Sequence, residues 1–233
     1  MIRIVLVEPR EAGNVGAAAR VMKNFGHRDL WIVGEHPNLH PLAGWWASGA
    51  EDVVAEARFV PTLIEALDDA RVTIATTSSR GRTTPIDLTP REVAKVASTL
   101  ASEQTLALVF GREDSGLTRD EVVMCQRTCS VPTDRDFPTM NLAQTVGIFC
   151  YELSSVVPAA QQSRELAPAG LVDRMHRRAE ELLLDVGFLH ANNPDRIYDD
   201  IRNIAGRADL DAREVGILLG ILRQVDWKLK HPK

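Results

Sequence analysis

A chain of 233 residues with 45% hydrophobic and 25% charged residues has ordinary globular make-up, long enough for one sizeable domain and a small second one. Its net charge of −5 argues against indiscriminate polyanion binding and leaves local basic patches to be sought one by one. Three cysteines without a CxxC pair, and no apolar run near the ~20 residues of a membrane span, predict reduced thiols in a cytoplasmic protein with no metal and no membrane segment.

In chain order, IRIVLV (2–7) reads as a strand that starts within two residues, with no basic start and apolar run of a secretory leader. EPREAGNVG follows as turn chemistry, and AAARVMKNFG as a helix ending at Gly26. Leu30 to Val33 is a second strand, with an irregular segment to about Pro41. Trp45 and Trp46 come next; as neighbours they cannot share one helical face, so either one covers a core edge while the other reaches a partner, or both pack internally or lie on the surface. Thr62 to Ala70 reads as a helix and Val72 to Thr76 as a third strand running into TSSRGRTTP. Arg91 to Leu100 is helical, and LALVF (106–110) is a fourth strand that stops at Gly111 before REDSGLT. A helix from Asp120 to about Arg127 leads into a short CSVP strand. This alternation predicts an α/β fold with a mainly parallel sheet, whose ligands sit outside the carboxyl ends of the strands.

FPTMNLAQTVGIFCYEL (137–153) joins a polar turn to an apolar helix. Thr139 and Asn141 are N-cap types, and Leu142, Val146, Phe149 and Leu153 form a core stripe, so unpaired N–H groups point back into the turn, where they suit a carboxylate, phosphate or ribose oxygen. The bland alternative is a capped core helix. Residues 1–155 form the expected first domain, 156–168 a linker rich in Ser, Pro, Ala and Gln, and 169–233 a helical domain. In the latter, Pro194 at a first helical position follows Asn193 as cap, and Asp209 or Asp211 starts the last helix. Arg174, Arg177, Arg178, Arg196, Arg202 and Arg207 are dense enough for phosphate contacts, although acids are interspersed.

Two loops carry the remaining chemistry. GNVG (13–16) is neither a Walker A sequence nor GxGxxG. Arg20, one turn beyond Gly16, is placed to hold a phosphate with Asn14 bonding its fork; the alternative is an exposed arginine without a ligand. Gly111 to Gly116 combines two glycines with charges that a plain turn does not need. Glu35, after the second strand, keeps a nicotinamide-dependent Rossmann dehydrogenase as a competitor, and a non-catalytic RNA-binding protein is a third class.

Together GNVGAAARVMKNFG, LVFGREDSGLT and TMNLAQTVGIFCYEL resemble the three ordered motifs of the SPOUT class of RNA methyltransferases, and within it the TrmJ-type tRNA 2′-O-methyltransferases. The resemblance spans nearly the whole of the first 155 residues, and the helical extension fits the same group. It implies a trefoil-knotted α/β domain forming a homodimer, S-adenosyl-L-methionine as cofactor, and tRNA as partner, with methylation of a cytidine or uridine ribose at the 5′ side of the anticodon loop, nucleotide 32; an rRNA target is the alternative. By resemblance Asn14, Arg20, Glu113, Thr139 and Asn141 are the catalytic set, with Arg20 on the ribose and its phosphate. Thr77, Ser78, Ser79, Gly111, Gly116, Val131, Pro138, Thr139 and Met140 wrap the cofactor. Thr139 stands where relatives more often carry serine, keeping the hydroxyl and adding a methyl.

Overall fold

The computed structural model describes residues 1–34, 39–78, 88–155, 165–189 and 194–231, the side chains of 39–41 and 194–196 excepted. Ser79, Glu35, Asn193 and most of the expected linker lie outside the described residues. Strand β1 (Ile2–Val7) is followed by α1 (Ala12–Asn24), β2 (Asp29–Val33), α2 (Leu39–Ala47), α3 (Glu51–Ala55), β3 (Arg58–Val60) and α4 (Leu63–Leu67). Then come β4 (Val72–Thr76), α5 (Pro90–Ser98), β5 (Leu106–Phe110), α6 (Arg119–Val123), β6 (Arg127–Cys129) and α7 (Leu142–Ser154).

The six strands pair in parallel in the order β3-β2-β1-β5-β4-β6. A parallel sheet needs cover on both faces, which is why its strands read as near-continuous apolar runs. Alternate residues go to opposite cores: Ile4, Leu6, Ile32, Ile74 and Leu108 pack with α1, α2, α3, α5 and α7, while Val5, Val7, Trp31, Ala75 and Val109 pack with α4 and α6. From β1 the chain winds outward through β2 and β3, then returns to build β4, β5 and β6 on the other side. The direction reverses between β1 and β5, where an open α/β sheet forms its crevice.

At the opposite end of the strands Arg3, 1% exposed, has each of its three side-chain nitrogens hydrogen-bonded. Its Nε donates to Asp29 at 2.8 Å, its Nη1 to Ala66 O at 2.9 Å, and Nη2 to Asp69 at 3.0 Å, with the guanidinium 4.1 Å from the centre of the Trp31 ring. A buried charge is tolerable only when paired and bonded in this way.

Several elements differ from expectation. Helix α1 starts at Ala12 rather than after Gly16, so GNVG is helix and not turn. A Cβ at Gly16 would lie 2.2 Å from Ala43 O, so this glycine is required by the close approach of α2. Gly26, at φ 78°, does end α1, with its N–H bonded to Lys23 O and that of His27 to Met22 O. Helix α2 begins before Pro41, within the stretch read as irregular. The edge strand β3 was missed, three residues being too short to show period-2 patterning. The last strand covers 127–129 rather than CSVP, and α6 stops correspondingly earlier.

Beyond α7 lie α8 (Ala169–Asp185), α9 (Pro194–Gly206) and α10 (Ala212–Lys230). Pro194 opens α9, and Asp211 caps α10 in a reciprocal pair with Glu214. Of the residues placed in the expected linker, Leu166 is buried in the core of the sheet unit and Ala167 in that of the bundle. The bundle core is small: Ala167, Val172, Met175 and Val215. It is tied to the sheet unit by polar contacts: Ala169 N–H to Ala70 O at 2.8 Å, Arg119 to Asp199, and Arg127 to Asp209. Among the described residues no helix is long and apolar enough to cross a membrane, and no group of His, Cys, Asp or Glu is arranged for a metal ion. Cys125, Cys129 and Cys150 are free and buried, and burial pushes Cys150 up to about 12 and the other two higher, so none is a thiolate near neutral pH.

Candidate active site

The loops leaving the carboxyl ends of β1 and β5 meet at the crevice. Glu8, directly after β1, sits at φ 43°, a strained conformation for a residue with a side chain. Its carboxylate accepts from Arg112 Nε at 2.8 Å, and Arg112 also forks onto Glu121 at 2.9 and 3.0 Å. These pairs fix the loop after β5 against the loop after β1. Gly111 closes that loop on itself: a Cβ there would stand 2.2 Å from the Gly116 carbonyl carbon, and Gly116 takes φ 70°. The two glycines therefore shape the loop.

Glu113 then turns back over the start of α1. Its Oε2 accepts from Arg10 N–H at 2.9 Å and its Oε1 from Glu11 N–H at 3.2 Å and the Asn14 amide at 2.9 Å. Burial pushes the Glu113 carboxyl up, but the Arg10 N–H, the Asn14 amide and the Glu11 N–H outweigh it and hold it below its ordinary range. The group is an ionised acceptor. Asn14 Oδ1 in turn accepts from the Asn141 amide at 2.8 Å, and Asn141 Oδ1 caps α7 by accepting from Ala143 N–H at 2.9 Å and Gln144 N–H at 3.3 Å. One directional chain of hydrogen bonds thus runs from the N-terminus of α7 through Asn141 and Asn14 to Glu113, joining residues of three separate segments. Its dipoles align, so each amide polarises the next.

Beside this chain lies a cavity of about 210 Å³. Thr77, Ser78, Gly111, Gly116, Val131, Pro138, Thr139 and Met140, eight of the nine expected cofactor-binding residues, line it, Ser79 lying outside the described residues. Glu113 lines it too. The sequence reading missed Phe110 and Phe149, whose rings meet edge-to-face at 5.7 Å in its floor, and Leu142 and Thr145 on α7. The stripe containing Leu142 and Phe149 was legible as buried, but periodicity does not say that one end faces a cavity. Thr77 Oγ1 is buried in the wall without a hydrogen-bond partner among the described residues. A buried hydroxyl left open beside apolar walls and main-chain groups fits a ligand with both polar and apolar parts, such as a nucleoside.

Arg20 departs from the expected arrangement. Asn14 gives both ends of its amide to Glu113 and Asn141, so it does not hold the Arg20 fork. Arg20 is exposed, with no ion pair among the described residues. Of the tail arginines, Arg177 pairs with Asp173, Arg178 with Glu181 and Asp226, and Arg202 with Asp173. Arg174 and Arg207 are left exposed, and the side chain of Arg196 lies outside the described residues.

A cavity at the carboxyl edge of the sheet, walled by the loops after β4, β5 and β6 and by the start of α7, marks a candidate ligand site of an α/β domain, and its sequence says of which kind. Residues 1–151 match the SpoU rRNA Methylase family, and residues 171–233 the C-terminal domain of tRNA methyltransferase TrmJ, so the chain belongs to the SpoU methylase family. It is 36% identical to the tRNA (cytidine/uridine-2'-O-)-methyltransferase TrmJ of Salmonella typhimurium, in an alignment of 238 residues covering 98% of each protein. Among solved structures it resembles TrmJ from Z. mobilis ZM4, with a TM-score of 0.83 and 31% identity over 97% of this chain and 99% of that one. A putative methylase family protein from Neisseria gonorrhoeae matches with a TM-score of 0.67 and 33% identity over 75% of this chain and 92% of that one.

Proposed function

We propose that the protein is an S-adenosylmethionine-dependent tRNA ribose 2′-O-methyltransferase acting on cytidine or uridine at nucleotide 32, on the 5′ side of the anticodon loop. The observation that carries this reading is the Glu113–Asn14–Asn141 chain at the lip of the cavity, in a protein with tRNA (cytidine/uridine-2'-O-)-methyltransferase relatives along its whole length. Family membership sets aside the dehydrogenase suggested by Glu35.

S-adenosylmethionine, when bound, supplies an electrophilic methyl group. Thr77, Ser78, Gly111, Val131 and Met140 would hold it, with Gly116, Pro138 and Thr139 completing the wall and Phe110 and Phe149 supplying apolar contact. Ser79 belongs to the same proposed set. A ribose hydroxyl is a weak nucleophile, and in-line transfer asks the protein chiefly for orientation. Glu113 is saturated with donors and is a poor base; it fixes Asn14, and Asn14 with Asn141 orients the hydroxyl. Arg20, exposed and without an ion pair among the described residues, is a fitting contact for the substrate phosphate. The trefoil knot, the homodimer and a division into a catalytic unit (1–155) and a helical unit (169–233) joined by 156–168 belong to the same proposal.

The test is transfer of labelled methyl to bulk tRNA followed by nucleoside mass spectrometry, with Arg20→Ala alongside. Ribose-methylated cytidine or uridine made by wild type and lost in the variant is the expected result. Label entering rRNA and not tRNA would instead support the second reading, which the description of the family matched by residues 1–151 favours.

A further inference from the structure

Two tryptophans stand far out of the protein: Trp45 is 82% exposed and Trp46 64%. Their setting is specific. Three atoms of the Trp46 five-membered ring, Cδ1, Cδ2 and Cε2, lie 3.5–3.6 Å from the point where a Cβ on Gly13 would stand. Near-equal distances around a ring place that point over its face, so one face of the indole is seated on the first turn of α1. The other side accounts for its exposure. Gly13 directly precedes Asn14, a central member of the hydrogen-bond chain at the candidate site.

Gly13, Gly16 and Arg20 lie along one edge of α1 at helical spacing, and Gly13 and Gly16 both face α2, so Arg20 continues that edge. Seven residues of helix separate Gly13 from Arg20 by about 10 Å, a span of one to two nucleotides. A flat aromatic face and a cation without an ion pair among the described residues thus stand along one edge, beside the cavity lip. The charge complements a phosphate and the indole a base. The two indoles expose no more than roughly 400 Å² between them, about half of the ~800 Å² that each partner of a standard protein interface contributes. The patch is sized for a small planar group.

We propose that Trp46, flanked by Trp45, is a stacking platform for an RNA base next to the nucleotide being methylated, and that it positions the substrate along the Arg20 edge of α1. This rests on the RNA methyltransferase reading above. Stacking is tolerant of sequence, so the platform holds the strand rather than choosing the base.

The experiment compares wild type, Trp46→Phe and Trp46→Leu in tRNA methylation at fixed salt and saturating S-adenosylmethionine, together with direct tRNA binding across a salt series and molecular mass by light scattering. Trp46→Leu is expected to raise the KM and Kd for tRNA about tenfold, with Phe restoring most of the loss, because a phenyl ring still stacks. The salt slope of binding, which counts phosphate contacts, stays unchanged, as do cofactor affinity and mass. Unchanged KM and Kd in Trp46→Leu would overturn the proposal. A fall in mass in both variants would also overturn it and make the patch a contact between copies of the chain. Failure of wild type to methylate any RNA would count against the function proposed above, and the binding arm alone would then decide for or against the platform.

Discussion

The sheet unit and the helical bundle solve the same problem with different means. In the sheet unit each central strand is buried on both faces, between one cluster of helices and another, and its buried cation, Arg3, has a partner for each of its nitrogens. In the bundle a handful of residues form the core, and α10 leaves Ile217, Ile221, Val225 and Leu229, spaced four apart, 41–54% exposed. The bundle is held to its neighbour by arginine–aspartate pairs and main-chain bonds rather than by an apolar face. The first unit is self-sufficient, whereas the second depends on its docking.

Arg3→Ala tests that claim with the largest effect. Removal leaves Asp29 and Asp69 without their cation and empties a buried site, so global stability is expected to fall by about 4 kcal/mol, read as a denaturation midpoint of the sheet unit. A loss below about 1 kcal/mol would show that the network is not an anchor.

Next in size is a pH effect larger in the bundle than in the sheet unit, where burial lowers His27 in the same direction. His176 is buried on α8 with its Nδ1 3.3 Å from the Tyr198 hydroxyl, which donates to the His176 carbonyl oxygen. Burial first, and the charge of Arg202 second, lower the imidazole from 6.5 to about 4, with Asp173 opposing. The folded state therefore binds fewer protons than the unfolded one. Above pH 6.5 this costs nothing; as pH falls from 6.5 towards about 4 the cost grows to ~3 kcal/mol. Bundle unfolding at mildly acidic pH, followed by far-UV circular dichroism and lost in His176→Gln, is the expected result. If the sheet unit melted over the same range, the two units would not differ as described.

The smallest change is Asp211→Ala, which removes the side chain that accepts from Glu214 N–H at 2.7 Å at the start of α10. A loss of about 1 kcal/mol in the bundle transition is expected, the usual size of a lost cap. A loss several times larger would mean that the N-terminus of α10 holds the whole docked bundle.

Much of this architecture could be read from sequence. The four inner strands of the sheet were visible because burial on both faces makes them continuously apolar, and each cap of α7 and α10 was narrowed to two residues, Thr139 or Asn141 and Asp209 or Asp211, of which Asn141 and Asp211 serve. The start of α1 was hidden: Gly13 and Gly16 signal a turn when the neighbour they accommodate, α2, is unknown. The motifs identified the polar residues of the site but not their wiring. Glu113 and Asn14 are far apart in the chain, and only the reversal of winding between β1 and β5 makes them partners. For the same reason Arg20 was expected on Asn14, whose amide is already engaged at both ends.

The central claim is that Glu113, Asn14 and Asn141 act as one unit, with the carboxylate serving as anchor rather than base. It is tested most directly by kcat for tRNA methylation in Asn14→Ala, Glu113→Gln and the double variant, at saturating cofactor. Glutamine offers a single oxygen where the carboxylate's two oxygens accept three donors, so each single variant is expected to lose roughly a hundredfold, and the double no more than the worse single. A near-wild-type rate in Glu113→Gln, or losses that multiply in the double variant, would contradict the account.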